Sequence, residues 1–301
     1  MPTNPKPEVI IRRATPEDAS ICGQICYSAF STLTAAPGFP CDFPSAQHAI
    51  GMTTSLFART DFYCVVAEVE GRVVGSNALD ERSVIRGVGP ISIDPAVQNL
   101  GVGRKLMQAV MDRANQQQAP GIRLVQAAFH NRSFSLYTSL GFDIREPLSC
   151  LQGQIRERSF PGPTVRPAQL ADLEACSDLS LRVHGYDRTR DLAQAIEARD
   201  QRSHGGPTPA PRIAERNGRI TGYTASLGFF SHSIAETNLD MQALIASADS
   251  FGGPGILVPS RNTALLRWCL ANGLRVVQPM TLMSIGLYNE PAGAWLPSIS
   301  F

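Results

Sequence analysis

The chain has 301 residues, 43% of them apolar, and a formal net charge of +1. That length suits about two domains of ordinary size, and the balanced charge, with no clustered block of Lys and Arg, argues against a nucleic-acid partner. Seven scattered cysteines without a CxxC pair read as reduced thiols, and the chain has neither a leader-like start nor a long apolar run, so the expectation is a soluble, cytoplasmic protein with no membrane contact.

Residues 1–8, rich in proline, are expected to be a flexible N-terminus. Val9–Arg13 reads as a short strand, and Thr15 as the N-cap of a helix from Pro16 to Phe30. In that helix Cys22 and Cys26 stand one turn apart; with no further His or Cys near them to complete a metal set, they read as small apolar residues facing a core. Asp61–Glu68 and Arg72–Leu79 flank a tight Gly turn and form a β-hairpin. Val88–Ile93 is a further strand, stopped by Pro95. From Val102 to Gln116, Leu106, Met107, Val110, Met111 and Ala114 recur at helical spacing, giving a helix with one buried face. Arg123–Phe129 is a strand, Ser133–Leu140 a helix ended by Gly141, and Phe142–Ile155 a closing pair of strands. Phe160-Pro161-Gly162-Pro163 is the linker.

Beyond the linker the chain repeats itself. Arg12–Asp18 (RRATPED) returns as Arg166–Asp172 (RPAQLAD), and Ala67–Gly75 (AEVEGRVVG) as Ala214–Gly222 (AERNGRITG). His130–Phe142 (HNRSFSLYTSLGF) parallels Asn262–Leu274 (NTALLRWCLANGL). Three matches in one order indicate a tandem duplication, with domains at 9–159 and 164–301. The interval between the hairpin and the last helix is shorter in the second copy. That interval is where the first copy keeps its most informative motif.

Ile91-Ser92-Ile93-Asp94-Pro95 is followed by Gln98-Asn99-Leu100-Gly101-Val102-Gly103-Arg104-Lys105, a strand joined to an amphipathic helix through a loop with two glycines. At such a junction the first helical N–H groups have no internal partner and point outwards at the positive end of the dipole. Glycine brings no Cβ, so phosphate oxygens can approach those amides closely. Arg104 and Lys105 place cations in a turn that ordinarily favours acids, which implies an anionic ligand. There is no GxGxxG and no GK[ST], so neither a dinucleotide fingerprint nor a Walker loop is present.

Strand, Q-x-x-G-x-G, helix, strand and then Leu136-Tyr137-Thr138-Ser139-Leu140-Gly141-Phe142 resembles the GNAT acyltransferase superfamily across about Val9–Ile155. The resemblance implies an α/β fold of α+β mixed-sheet type, two tandem GNAT-like domains, each a mostly antiparallel sheet flanked by helices. It implies acetyl-CoA, or another acyl-CoA, as co-substrate and no metal. The amides of Leu100, Gly101, Val102, Gly103, Arg104 and Lys105, with Gln98 and Asn99, would cradle the pyrophosphate. The segment Ile91, Ser92 and Ile93 would bond the pantetheine arm and polarise the thioester carbonyl. Tyr137 matches the family's general acid, placed to protonate the leaving thiolate. Where the family commonly has Asn, this chain has His130 with Asn131 beside it; either could bond the cofactor arm, and His130 could instead serve as base.

The acceptor amine must lose a proton, and the candidate bases are Asp80 and Glu81. Being adjacent in a strand they face opposite ways, so at most one enters a cleft. A further candidate is the carboxylate of Phe301, since the tail Pro291–Phe301 is too apolar to hang free. In the second copy no phosphate loop follows the hairpin, and Cys269 takes the slot of Tyr137, so that copy is expected to be degenerate. His184, His204 and His232 read as surface or core residues. The expected function is transfer of an acyl group from CoA to a primary amine, on a small molecule or a peptide, by direct attack. A non-catalytic acyl-CoA sensor is the alternative, and a structural scaffold is a third reading.

Overall fold

A computed structural model describes residues 7–97, 100–156, 158, 161–201 and 210–300. In chain order the first run of elements is β1 Val9–Arg13, α1 Ala19–Ala35, α2 Ala46–Phe57, β2 Phe62–Val69, β3 Arg72–Asp80, β4 Ile85–Val88, β5 Ser92–Ile93, α3 Val102–Gln116, β6 Gly121–Ala127, α4 Asn131–Ser139 and β7 Asp143–Gly153. The second run is β8 Thr164–Pro167, α5 Leu173–His184, α6 Thr189–Gln201, β9 Arg212–Arg216, β10 Arg219–Thr224, β11 Ser233–Ala235, α7 Asn238–Ala246, β12 Ile256–Pro259, α8 Thr263–Ala271, β13 Leu274–Gly286 and β14 Ala294–Leu296. The two runs follow the same order of helix and strand. They differ where the first has both β4 and β5 and the second has β11 alone.

Compact units and sequence repeats are not the same pieces. One unit comprises residues 1–81 and 85–122, the other residues 82–84 and 123–301. In the first unit the antiparallel order is β1-β2-β3-β4, with β5 also pairing β3. The hairpin turns at Glu70 and Gly71, both at positive φ (50° and 73°). That geometry matches the right-handed twist of the flanking strands, and glycine takes the second position at no steric cost. From Val74 onwards β3 is buried without alternation, and both α1 and α3 pack against it. Leu106, Met107, Val110 and Ala114 of α3 are all sealed from solvent, the face anticipated from their spacing.

An ion-paired triad fastens each run's first strand to its hairpin. Arg12 binds Asp18 at 2.7 Å and Glu68 at 2.7 Å. In the second unit Arg166 binds Asp172 at 2.8 Å and Glu215 at 2.8 Å. In both places the aspartate also accepts the main-chain N–H three residues earlier, Thr15 or Gln169, at 2.8 Å. The Arg12 guanidinium holds Asp18 down to about 2, against the opposing effect of burial.

The second unit holds two sheet segments, β14-β11-β10-β9-β8 and β6-β13-β7-β12. The latter corrects the expected closing pair of strands at 142–155, because Asp143–Gly153 is one long strand whose partners are not local. β13 pairs it from Leu274↔Gly153 to Ser284↔Asp143, and β12 from Ile256↔Leu151 to Pro259↔Leu148. β6 in turn lies beside β13, with the Ala128 N–H bonded to the Pro279 carbonyl at 3.1 Å. Each run therefore completes its last strand pairing with strands of the other run. Leu151 and Ile155 share one core with Met241, Leu244, Ile256, Val258, Leu265 and Leu274.

Candidate functional site

The stretch that reads as one strand over Val88–Ile93 is broken in two. β4 pairs β3 at Leu79↔Val88 and Asp80↔Gly87, and β5 resumes at Ser76↔Ser92 and Gly75↔Ile93. Between them Pro90 brings no N–H, and Ile91 makes no main-chain hydrogen bond to a described residue. Its N–H and C=O are available to a ligand, as a pantetheine arm requires. Gly75 lets β5 come close: a Cβ there would lie 2.6 Å from the Ser92 carbonyl oxygen. The signal was present in the sequence, since Gly89-Pro90 inside a strand pattern marks a break.

β5 leads through the loop to α3. Gly101 caps that helix at φ 79°, a left-handed conformation that costs a Cβ-bearing residue roughly 1–2 kcal/mol. Among the described residues, apart from its chain neighbours, no atom lies within 4 Å of the position its Cβ would occupy. The first intrahelical bond is Lys105 N–H to Gly101 C=O at 3.1 Å. The amides of Val102 and Gly103 precede it, have no partner within the helix, and receive no side-chain cap from Gly101. Main-chain donors at the positive end of a 15-residue helix are the arrangement that suits an anion. The Lys105 Nζ is turned to the Val9 carbonyl, to which it donates at 2.8 Å. Arg104 is exposed. Gln98 and Asn99, expected at the same loop, lie outside the described residues.

The corresponding helix of the second run is closed to anions. Thr237 caps α7, accepting from the Asp240 N–H at 3.3 Å. The sealed Asp240 carboxylate accepts from Thr221 Oγ1 at 2.8 Å and Arg216 Nε at 3.0 Å. Burial pushes Asp240 upwards, yet the donors from Arg216, Thr237 and Thr221 outweigh it and hold the carboxylate below its ordinary range. A fixed negative charge therefore stands in the first turn of α7. Cys269, in the slot that Tyr137 fills in the first run, is fully buried, and burial raises its thiol to about 12. It is neither accessible nor ionisable near neutrality.

In the second unit Tyr137 is buried on α4, its ring edge-on to Phe142 at 6.2 Å. Burial raises its pKa, so the phenol keeps its proton at any working pH, as an acid requires. His130 heads α4 and is half-buried. Burial, and then the charge of Arg132, lower its pKa, leaving a neutral imidazole near pH 7. Asn131 next to it is exposed.

In the first unit Glu81 is bound by Arg113, with Nε at 2.7 Å and Nη2 at 3.2 Å. Burial pushes its pKa upwards, but Arg113 and Gln117 prevail and lower it. A carboxylate held this way is a weaker proton acceptor than an exposed one. We expect Glu81→Gln to lower the melting temperature by a few degrees with kcat unchanged within about threefold; a loss of 100-fold or more, of the size a general base supplies, would restore Glu81 to that role. Asp80 is buried on β3. Phe301 lies outside the described residues, while the tail before it is docked, β14 pairing with β11. Among the described residues no cluster of three or more metal-ligating side chains occurs, and no helix is long and apolar enough to cross a membrane.

Residues 60–144 match the family model of the acetyltransferase (GNAT) domain. Among solved structures the chain is similar to a putative acetyltransferase from Pyrococcus horikoshii, at 17% identity and TM-score 0.68, covering 95% of this chain and 94% of that one. It is similar also to a GCN5-related N-acetyltransferase from Sphaerobacter thermophilus, at 15% identity and TM-score 0.59, covering 97% and 98%. At these identities the likeness is one of fold, and it extends over both runs of elements. No curated protein matches the chain in sequence.

Proposed function

We propose, from the match of residues 60–144 to the acetyltransferase (GNAT) domain, that the chain transfers an acetyl or similar acyl group from CoA to a primary amine of a small molecule or peptide. The observation that carries this reading is the N-terminus of α3, where the Val102 and Gly103 amides stand behind Gly101 with no side-chain cap, in a chain whose second copy of that helix is capped and acidic. One copy is built to receive a pyrophosphate and the other to refuse it. We read the chain accordingly as a tandem duplication, residues 9–159 catalytic and 164–301 degenerate.

In this reading the amides of Val102 and Gly103 hold the pyrophosphate, with Leu100, Gly101, Arg104, Gln98 and Asn99 contributing from the same loop, while Lys105 is committed to Gly101 and Val9. The unpaired main chain at Ile91, with Ser92 and Ile93, orients the pantetheine arm, and His130 or Asn131 adds a polar contact to it. The amine nitrogen attacks the thioester carbonyl, the C–S bond breaks, and the sulfur takes the proton of Tyr137. The nitrogen's own proton leaves to a base, for which the neutral His130 is better suited than the ion-paired Glu81.

The test is Tyr137→Phe. Removing one hydroxyl from a ring that packs on Phe142 leaves the fold intact. We expect kcat to fall about 100-fold, at the lower end of what a general acid contributes, while the acetyl-CoA dissociation constant changes less than threefold. The readouts are thiol release with an amine panel and calorimetric titration. If amines elicit no thiol release from the unaltered protein that binds acetyl-CoA, the chain is a sensor rather than an enzyme.

A further inference from the structure

Two histidines outside the acyl-transfer machinery meet inside the second unit. His184 is the last residue of α5 and His232 immediately precedes β11; their Nε2 atoms are 3.0 Å apart. Both residues are sealed, with relative exposures of 1% and 2%. At that distance one ring donates an Nε2–H and the other accepts it with a bare nitrogen. Among the described residues neither Nδ1 has a hydrogen-bond partner.

The contact stands where the segment 289–300 is fastened. Asn289 donates to the His184 carbonyl at 3.1 Å, and the Ala292 N–H to the Val183 carbonyl at 2.8 Å. β14 pairs β11 at Ala294↔Ala235, Trp295↔Ile234 and Leu296↔Ser233, and the Ile299 N–H bonds the Phe229 carbonyl at 2.8 Å. The Trp295 ring stands edge-on to the His184 ring at 5.7 Å. Every one of these attachments lies on the end of α5 or on the stretch from Phe229 to Ala235, the two pieces that the histidine pair ties together.

The charged groups that act on the pair are cations. Arg188, from the turn before α6, and Arg123, on β6, oppose a positive charge on either ring, and His184 opposes one on His232. Tyr186, 5.6 Å from His184, accepts from Arg123 at 2.7 Å, and its burial keeps the phenol protonated. A proton on the accepting Nε2 would set two N–H groups face to face. A proton on a free Nδ1 would put a cation in a sealed site beside two guanidiniums. Neither is tolerated while the site stays closed.

We propose that the His184–His232 contact is an acid-released latch for the segment 289–300. Opening the segment admits water and protons to both rings, and the protons then hold it open. Below the ordinary histidine pKa of about 6.5, opening becomes about tenfold easier per pH unit for each histidine, about 100-fold for the pair. The sign is fixed by neutral burial: the latch is fully closed above about pH 6.5 and weakens as the pH falls. This proposal does not depend on acyl transfer.

The chain has two tryptophans, so Trp268→Phe leaves Trp295 as the sole reporter. We expect its emission to shift to the red between about pH 6.5 and 5, with far-UV circular dichroism unchanged. In the unaltered protein, amide exchange of 289–300, corrected for intrinsic rate, should rise at least tenfold over the same range while β9 and β10 stay protected. The double variant His184→Gln, His232→Gln keeps a side-chain hydrogen bond available but cannot titrate, and should lose the transition. Emission and exchange that stay constant until the whole chain unfolds would overturn the latch, as would a transition that persists in the double variant. If the double variant does not fold, the exchange measurement on the unaltered protein decides alone.

Discussion

Gly101→Glu is expected to abolish acetyl-CoA binding while leaving the fold in place. The left-handed φ of 79° disfavours any residue with a Cβ, at a cost of roughly 1–2 kcal/mol. Among the described residues, apart from the chain neighbours, no atom lies within 4 Å of the new Cβ. An acidic side chain at a helix N-terminus recovers about 0.3–1 kcal/mol from the dipole, so the melting temperature should drop by only a few degrees. The carboxylate would instead occupy the space in front of the Val102 and Gly103 amides and repel the pyrophosphate, as Asp240 closes α7 in the second run. We expect the dissociation constant to rise more than about 100-fold, or about 2.7 kcal/mol. In a thermal-shift titration the unaltered protein at about 100 times its dissociation constant gains a similar 2.7 kcal/mol, visible as several degrees. The variant should show no shift. Retained affinity would remove this loop from the site.

The contrast between α3 and α7 also shows why part of the site could be read before any coordinates. A glycine at 101 and basic residues at 104 and 105 are local facts, and the dipole argument needs nothing more. What Lys105 does with its charge is not local: Val9 is far away in sequence, and only folding brings its carbonyl to Nζ. The same holds for Glu81. Its sequence neighbours give no hint of Arg113, which approaches from α3 and turns a candidate base into half of an ion pair. Gly89-Pro90 marks the break between β4 and β5, although Val88, Ile91 and Ile93 give Val88–Ile93 the look of a single strand. α2 was missed for a different reason: Gln47, His48, Gly51, Thr53 and Thr54 interrupt its apolar stripe, and packing against α1 makes the helix rather than intrinsic propensity.

The strand exchange was the hardest feature to foresee and has the largest consequence for stability. A local reading of Phe142–Ile155 finds a closing pair of strands, because hairpins are the default for neighbouring β segments. In the folded chain β7 is one strand with β13 on one edge and β12 on the other. Residues 1–159 expressed alone, the natural choice from the repeat and the linker, should therefore be insoluble or molten. β7 would lose both hydrogen-bonded edges, and β6 would lose β13. Leu148 and Leu151, sealed in the whole chain, would be exposed at about 1.5–3 kcal/mol each. Together with three open strand edges that apolar surface invites aggregation, and the loss is comparable to the roughly 5–15 kcal/mol that holds a domain together. Residues 160–301 alone should fail for the reciprocal reason, since β12 and β13 both need β7. Coexpression of the two fragments should recover a soluble complex with the circular dichroism of the whole chain. A soluble 1–159 fragment that unfolds cooperatively in denaturant would show that the first repeat can close its own sheet, and that the exchanged pairing contributes little to its stability.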